Sequence, residues 1–185
     1  AAEIALIATR AFETRTVGNN EYPPDLEGAA QTLLELGYQF DILDAESDLA
    51  GYRAVMLPDG AVLSEALVAK LSAYLNSGGR LILSGTAALD RATGQFQLTQ
   101  IPVRYIEPAP TVPAYVRPSA TMVGTSELAD DYDYVFYEGS HVVQAGQGAV
   151  AHGVLSRALF NRTWEHFMGH QHAPVGESLN APVAV

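Results

Sequence analysis

Four short apolar segments separated by amphipathic stretches constrain the fold of this chain more than any other feature. None of the four alternates apolar and polar residues, as a strand exposed on one face would, so each fits a strand that is buried on both faces. Together with the stretches between them they give the order β-α-β-β-α-β, which predicts an α/β protein with a mostly parallel sheet covered on both sides by helices. The predicted strands are Ile4–Ala8, Phe40–Leu43, Ala54–Leu57 and Arg80–Leu83.

Capping residues mark the two predicted helices. Asp25 can accept a hydrogen bond from the free amides at the start of the first helix, and Gly37 suits the left-handed residue that ends it. Ser64 is placed to cap the second helix, and Gly78–Gly79 ends that helix just before the strand at Arg80. We therefore expect both helices to pack an apolar face against the sheet.

The pattern weakens from Gln97 onward, where five of the ten prolines fall between Pro102 and Pro118. We expect irregular or short-strand additions after residue 97, forming an extended excursion rather than a second core. Tyr134–Tyr137 and Val142–Val143 are predicted to return as short strands. The simplest organisation is a single domain over residues 1–185.

Charge and composition restrict the partners of the chain. With 21 acidic and 10 basic residues the formal net charge is −11, so nucleic acid and anionic membrane surfaces should repel it. No segment reaches the roughly 18 uninterrupted apolar residues of a membrane helix, and we expect a soluble protein, cytoplasmic, periplasmic or secreted. The absence of cysteine excludes disulfides and thiol catalysis, and no cofactor is predicted.

Ligands of parallel α/β folds bind beyond the carboxyl ends of the strands. The fourth predicted strand runs into Ser84-Gly85-Thr86, where folds of this type often carry a reactive cysteine. Ser84 lacks the Gly-x-Ser-x-Gly surroundings of a serine nucleophile, which would also require a histidine base. We therefore interpret Ser84 as a degenerate nucleophile position and predict no catalytic residue in this chain. The same edge would carry Thr9-Arg10, Asp44 and Asp59-Gly60.

The segment from Phe160 to His172 contains three of the five histidines and the single tryptophan. If it is helical, His166 and His170 share a face, and His172 could complete a divalent-metal site together with Glu165 or His152. A second interpretation is a polar aromatic patch that contacts a carbohydrate or a neighbouring chain, and a third is plain packing. The candidate ligand or partner contacts are Trp164, Glu165, His166, His170 and His172.

Two further patterns are interpreted as incidental. Asn161-Arg162-Thr163 matches the glycosylation sequon, which recurs by chance and matters only in a glycosylating secretory route. The acidic run from Asp130 to Asp133 lacks the glycine and glutamate of a calcium-binding loop, so we expect a solvated turn.

Part of the chain resembles a known family. The segments Gln31–Ile42, Asp48–Pro58 and Leu75–Gly85 resemble the trimerisation domain of bacterial β-galactosidases. The resemblance implies a flavodoxin-like, class I glutamine-amidotransferase-like three-layer sandwich that serves assembly beside a catalytic barrel. The stretch Asn161–Pro174 resembles the carboxyl-terminal parts of other glycoside hydrolases, fucosidases among them.

The same resemblance implies a non-catalytic role. Amidotransferase relatives complete their triad with a Gly-x-Cys-x-Gly elbow and a later His-x-Glu, whereas this chain has Ser84 and the pair Glu165-His166. It is also too short for a catalytic barrel of roughly 250 residues. We therefore expect an accessory domain, excised from a longer glycoside hydrolase, whose partners are its own catalytic barrel and homo-oligomer neighbours and which lends residues to the rim of a neighbouring active site.

Two rival functions remain open. The first is a small hydrolase or metal-binding enzyme that uses His166, His170 and His172. The second is a carbohydrate-binding module that uses Trp164 and its histidine neighbours.

Overall fold

The computed structural model describes residues 2–9, 24–124, 128–167 and 172–185. The chain divides into two compact units, Ala1–Ile101 and Pro102–Val185. Each unit contains its own clusters of buried apolar side chains, so each forms a core of its own.

The amino-terminal unit is an α/β sandwich built on a parallel sheet of four strands. The strands lie in the order β2-β1-β3-β4, and every neighbouring pair is parallel. All four predicted strands and both predicted helices are confirmed. Their bounds are β1 (Ile4–Ile7), α1 (Pro24–Glu35), β2 (Phe40–Leu43), β3 (Ala54–Leu57), α2 (Glu65–Asn76) and β4 (Arg80–Leu83).

The two helices cover opposite faces of this sheet. Leu6 and its register neighbour Met56 pack in one cluster with buried residues of α1. Ile7 and Leu57 belong to the cluster on the other face, which includes the fully buried Leu71 of α2. Burial on both faces explains why β1 and β3 show no alternation in sequence. The edge strands β2 and β4 are partly exposed, so the expectation that all four strands are buried on both faces is wrong for these two. Truncating a leucine as buried as Leu71 to alanine would cost about 2–5 kcal/mol.

The predicted caps of the second helix are present. The Ser64 hydroxyl accepts a hydrogen bond from the Leu67 amide, at 3.2 Å. Gly78 follows the helix with φ = +94°, a conformation that favours glycine. A small antiparallel hairpin, β5 (Leu89–Asp90) and β6 (Gln95–Phe96), completes this unit. No helix in the described ranges combines the length and apolar character that crossing a bilayer requires.

The carboxyl-terminal unit is mainly antiparallel. One sheet has the strand order β12-β11-β8-β9, and β10 pairs with β7 in a second, two-stranded sheet. The short strands expected near Tyr134 and Val142 are confirmed as β9 and β10. The bounds are β7 (Val103–Pro108), β8 (Ala114–Arg117), α3 (Ala120–Val123), β9 (Tyr134–Phe136), β10 (His141–Ala145), β11 (Val154–Ala158) and β12 (Val175–Ala181).

The expectation that residues after 97 form no second core is wrong. Ala114, Val116 and Leu155 are buried together, and Tyr115 packs with Ala158 on the opposite face of the same strands. The prolines did not prevent these strands because they lie at strand ends, where a missing amide costs no ladder hydrogen bond. Pro108 ends β7, while Pro113 and Pro118 flank β8 directly.

Candidate functional site

The carboxyl ends of the parallel strands lie at one edge of the sheet, as predicted. Asp44, at the end of β2, is engaged locally, because its carboxylate accepts hydrogen bonds from the Ser47 hydroxyl at 2.7 Å and the Ser47 amide at 2.8 Å. These bonds lower the pKa of Asp44 below its usual value of 3.8. Of the residues expected at this edge, Arg10 lies outside the described residues.

The turn after β4, residues 84–86, is hereafter the Ser84 turn. One carboxylate oxygen of Asp59 accepts hydrogen bonds from the Thr86 amide at 2.7 Å and the Thr86 hydroxyl at 3.1 Å. Gly85 has φ = +53°, and a Cβ at Gly85 would lie 2.2 Å from the Asp59 carboxylate. The Asp59 side chain therefore lies against the turn and occupies a backbone amide of the kind that an oxyanion would need.

The Ser84 turn also lacks a histidine base within its own unit. All five histidines lie between residues 141 and 172, in the carboxyl-terminal unit. A serine nucleophile requires such a base and an amide free to receive the oxyanion. The amino-terminal unit thus contains no histidine, and the Thr86 amide is already bonded to Asp59, while the interpretation of Ser84 as a degenerate nucleophile position stays a prediction.

The second candidate region comprises the described residues 160–167 and 172–173, hereafter the aromatic loop. Its ends are joined by a hydrogen bond from the Leu159 amide to the Pro174 carbonyl, at 2.8 Å. The Asn161 side chain fixes the first half, since it accepts a bond from the Val112 amide at 2.9 Å and donates to the Pro110 carbonyl at 3.0 Å. The amide nitrogen of this sequon is therefore engaged in the structure, which fits the interpretation of the sequon as incidental.

A buried tyrosine fixes the other end of the aromatic loop. The Tyr115 hydroxyl donates to the carbonyl of Ala173, and both residues belong to the same buried cluster. Burial raises the pKa of Tyr115 above its usual value of 10.0, with a smaller contribution from nearby Tyr137. The loop is thus held at one end by its own Asn161 side chain, bonded to the backbone of Pro110 and Val112, and at the other by the Tyr115 side chain of β8.

At its tip the aromatic loop forms a tight turn. The Thr163 amide donates to the His166 carbonyl at 3.1 Å, and the Thr163 hydroxyl donates to Glu165 at 3.0 Å. Trp164 stands at this tip with 93% of its surface exposed. Residues 161–167 form bends and no helix, so the helical pairing of His166 with a later histidine is not found in this part of the loop.

The candidate histidines lie against aromatic rings. His166 packs against Phe160, with ring centroids 5.7 Å apart, and His172 meets Tyr137 edge to face at 4.6 Å. His152 is bonded to the Thr121 hydroxyl at 3.0 Å, and His170 lies outside the described residues. Over the ranges that the structure describes, no three His, Cys, Asp or Glu side chains are grouped so that they could hold a metal ion.

The acidic turn before β9 is more structured than expected. Asp133 forms a two-point ion pair with Arg117 of β8, through both the Nε and Nη2 groups of the guanidinium. This pairing raises the pKa of Arg117. Asp133 therefore joins two neighbouring strands rather than remaining simply solvated.

Sequence reasoning missed the side chains that hold both regions in place. The sequence predicts Asp59 only as an edge residue, and it predicts no anchoring role for Asn161. The contact of Tyr115 with Ala173 spans 58 residues, and nothing in the local sequence indicates it. The sequence does contain a signal for Asp59, since Pro58-Asp59-Gly60 after β3 is a turn sequence that places a carboxylate at the sheet edge.

These observations define a mixed α/β protein in which a parallel sheet carries helices on both faces and antiparallel sheets form a second unit. The family model of the β-galactosidase trimerisation domain matches residues 9–107, which is more than half of the chain. The chain belongs to this family. No curated protein sequence matches it.

Solved structures extend the similarity over the whole chain. α-L-Fucosidase isoenzyme 2 from Paenibacillus thiaminolyticus is 30% identical, with a TM-score of 0.82, and the match covers 98% of this chain and 27% of the fucosidase. The β-galactosidase from Rahnella sp. R3 is 19% identical, with a TM-score of 0.62 and coverage of 84% of this chain and 25% of that one.

A GH42 β-galactosidase, Gan42B from G. stearothermophilus, is 18% identical, with a TM-score of 0.61. The match covers 88% of this chain and 25% of the galactosidase. At these identities the two galactosidases show the shared fold alone. The chain spans about a quarter of the length of the relatives it matches.

Proposed function

We propose that this chain is a non-catalytic assembly domain of a bacterial glycoside hydrolase. The match of its residues 9–107 to the β-galactosidase trimerisation domain carries the proposal. The Ser84 turn supports it, because Asp59 binds the Thr86 amide and the unit contains no histidine base. Catalysis would then belong to other parts of a longer protein, as the quarter-length coverage of the relatives suggests.

The fold proposed for the amino-terminal unit is flavodoxin-like, of the class I glutamine-amidotransferase-like type. The strand order β2-β1-β3-β4 agrees with the first four strands of the flavodoxin-like order 2-1-3-4-5. A helix on each face of the sheet supports three layers. We further propose that residues 1–185 act as one excised domain, supported by the fucosidase match over 98% of this chain.

The proposed partners are the catalytic barrel of the same protein and other copies of the chain. A net charge of −11 disfavours nucleic acid and anionic lipid surfaces as partners. No cofactor is assigned to either unit. These partners are compatible with the family, which is that of the β-galactosidase trimerisation domain.

A second candidate function concerns the aromatic loop, which we propose to contribute to the rim of a neighbouring active site. The observation that favours it is the exposed Trp164 on a turn that Asn161 and Tyr115 hold in place. An exposed indole on an anchored backbone suits stacking on a sugar ring or an anchor contact with a protein. A metal site at His166, His170 and His172 would instead show bound zinc in elemental analysis of the purified protein.

Light scattering and activity assays on the full chain and on the longer hydrolase test the assembly role. We expect multimers in solution and no hydrolysis of glycosides or glutamine by the 185-residue chain. Asp59→Ala and Ser84→Ala should leave that result unchanged, since neither residue is assigned to catalysis. The proposal would be refuted if both proteins were monomers. It would also be refuted if the 185-residue chain hydrolysed a substrate and Ser84→Ala abolished that activity.

A further inference from the structure

The amino-terminal unit contains a polar pocket, hereafter the arginine pocket, that neither proposed role uses. It lies at the amino ends of β3 and β4, at the opposite edge of the sheet from the Ser84 turn, and has a volume of about 320 Å³. This volume is at the lower end of the range of small-molecule sites. The lining side chains and turn residues include Tyr52, Arg53, Tyr74, Gly78, Gly79 and Arg80.

The lining of the arginine pocket is positively charged, whereas the chain as a whole is acidic. Arg53 and Arg80 line it, and none of the lining residues is an aspartate or a glutamate. The sheet brings the two arginines together, because Arg80 pairs with Ala54 across the parallel strands and Arg53 directly precedes Ala54. The net charge of −11 acts weakly here, since salt screens charges more than about 8 Å away at physiological ionic strength.

Both arginines have N–H groups available to a ligand. Within the described ranges the Arg80 guanidinium forms no hydrogen bond or ion pair. Arg53 donates from Nη1 to Glu3 at 3.1 Å, in a pair whose side chains are 68% and 58% exposed. Such an exposed pair is weak, and a guanidinium has further donors in a planar fork that matches a carboxylate.

The walls of the arginine pocket are held in place by hydrogen bonds and close packing. The Tyr74 hydroxyl donates to the Tyr52 carbonyl at 3.1 Å and accepts from the Arg80 amide at 3.4 Å. The Tyr74 ring also lies directly against Gly79, where a Cβ would be 2.3 Å from the ring. A ligand would therefore meet a largely preformed site and lose little free energy in ordering it.

The position of the pocket in the fold favours a carboxylate over a phosphate. Phosphates are usually bound by free backbone amides at the start of a helix, whereas this pocket lies at the end of α2, where the helix dipole is negative. The amides of its turn are already bonded, Gly78 to the Leu75 carbonyl and Gly79 to the Tyr74 carbonyl, both at 3.0 Å. The arginine side chains are thus the donors that remain, and they suit a planar anion of low charge.

We propose that the arginine pocket binds the carboxylate of a small acidic molecule through Arg53 and Arg80. The proposal does not depend on the assembly role, since the pocket is formed entirely by residues of one unit. Glu3 is then a competing carboxylate, which a ligand must displace from Arg53 or share with it.

Titration of the full chain with glutarate, followed by the backbone amide signals in NMR at constant ionic strength, tests the site. We expect the signals of Gly78, Gly79 and Arg53 to shift together, with a dissociation constant of about 1–10 mM for so exposed a site. Glutaramide has the same skeleton without the charge and should cause no such shift. No shift with glutarate, an equal shift with glutaramide, or tighter binding of inorganic phosphate would overturn the proposal.

Single substitutions locate the binding. Arg80→Gln should raise the dissociation constant of glutarate by about fivefold or more, and Arg53→Gln should act in the same direction. Glu3→Gln removes the competing carboxylate and should lower the dissociation constant by about twofold or more. The amide spectrum of each variant also shows whether the fold persists.

Arg91 provides the matched control, because it is an exposed arginine of the same unit that does not line the pocket. Arg91→Gln removes the same charge and should change the dissociation constant by less than about twofold. Glutarate that binds Arg80→Gln and Arg53→Gln as tightly as the unmodified chain, or that is weakened equally by Arg91→Gln, would overturn the assignment of the site to this pocket.

Discussion

The Ser84 turn and the aromatic loop are both candidate positions for function, and their side chains are used in opposite ways. At the Ser84 turn the polar groups bind one another, with the amide and hydroxyl of Thr86 both bonded to Asp59. In the aromatic loop the polar contacts of Asn161 and Tyr115 lie at the stem, while Trp164 is left in solvent at the tip.

This difference indicates where binding energy is available. Polar groups that are already paired gain little from a ligand, because each new hydrogen bond must replace an existing one. An exposed indole on a fixed turn can bury a large area with little loss of conformational freedom. The turn is therefore expected to contribute to stability and the loop to recognition, and the following substitutions test that division.

The largest effect on stability is expected for Gly85→Ala. The new Cβ would overlap the Asp59 carboxylate and would also require an unfavourable backbone conformation at φ = +53°. The strain and the weakened bond to Thr86 together should lower the free energy of unfolding by about 2–4 kcal/mol. Urea unfolding of the variant and the unmodified chain measures this loss.

Gly94→Ala separates the two causes. Gly94 has a similar φ of +68°, but a Cβ there would meet nothing within 4 Å. This variant should lose only the backbone contribution, about 1 kcal/mol. Equal losses for the two alanine variants would mean that the Asp59 contact adds nothing to the stability of the Ser84 turn.

The amino-terminal unit could be predicted from sequence because its signals are local. Ser64, Gly78 and the apolar strands act within a few residues of themselves, so their pattern gives the bounds of α2 and of the four parallel strands closely. Asp25, which was expected to cap α1, lies inside that helix, and the hairpin of β5 and β6 was not predicted. The core of the carboxyl-terminal unit depends instead on strand pairs far apart in sequence, such as β8 with β11. No local pattern reports such a pairing, and prolines at strand ends concealed the strands themselves.

In the candidate sites, too, features set by local sequence could be predicted and long-range contacts could not. The exposed Trp164 belongs to a segment whose unusual composition is visible in sequence, so it was identified. The hydrogen bond from Tyr115 to Ala173 and the two hydrogen bonds of Asn161 join residues far apart in sequence. They were therefore not identified from the sequence. The contact residues named from sequence stay predictions, and the sequence did not indicate which residues hold them in position.

Tyr115→Phe tests the buried anchor of the aromatic loop. Loss of the hydroxyl leaves the Ala173 carbonyl without this donor in a buried cluster, which should cost about 1–3 kcal/mol. Trp164 is the only tryptophan, so its fluorescence anisotropy reports whether the loop also becomes more mobile. Tyr137→Phe is the control, because it removes a hydroxyl from an exposed tyrosine and keeps the ring against His172. Similar losses in both variants would contradict the anchoring role.

The two units should also differ in how pH affects their stability. Hydrogen bonds from Ser47 lower the pKa of Asp44, so its contribution is present above the usual carboxyl pKa of 3.8 and is lost as pH falls through the lower folded value. Burial raises the pKa of Tyr115, so its contribution is present below 10.0 and is lost as pH rises through the higher folded value.

Variants assign these effects to the two residues. The stability difference between Asp44→Ala and the unmodified chain should shrink in acid, and the difference for Tyr115→Phe should shrink in strong base. Urea unfolding at neutral pH, in acid below 3.8 and in base above 10.0 provides the comparison. Differences that stay constant across this range would show that neither group couples folding to proton binding.

The smallest effect on stability is expected for Trp164→Ala, because the indole is almost wholly exposed. The free energy of unfolding should change by less than about 0.5 kcal/mol. If the loop contributes to the rim of a neighbouring active site, kcat/KM of the longer hydrolase should nevertheless fall, by roughly tenfold for a lost stacking contact of about 1.4 kcal/mol. Val150→Ala, at another exposed apolar position of the same unit, should leave both quantities unchanged. Unaltered kcat/KM in Trp164→Ala, with no heat from a panel of sugars in calorimetry of the unmodified chain, would exclude both the rim contact and sugar binding.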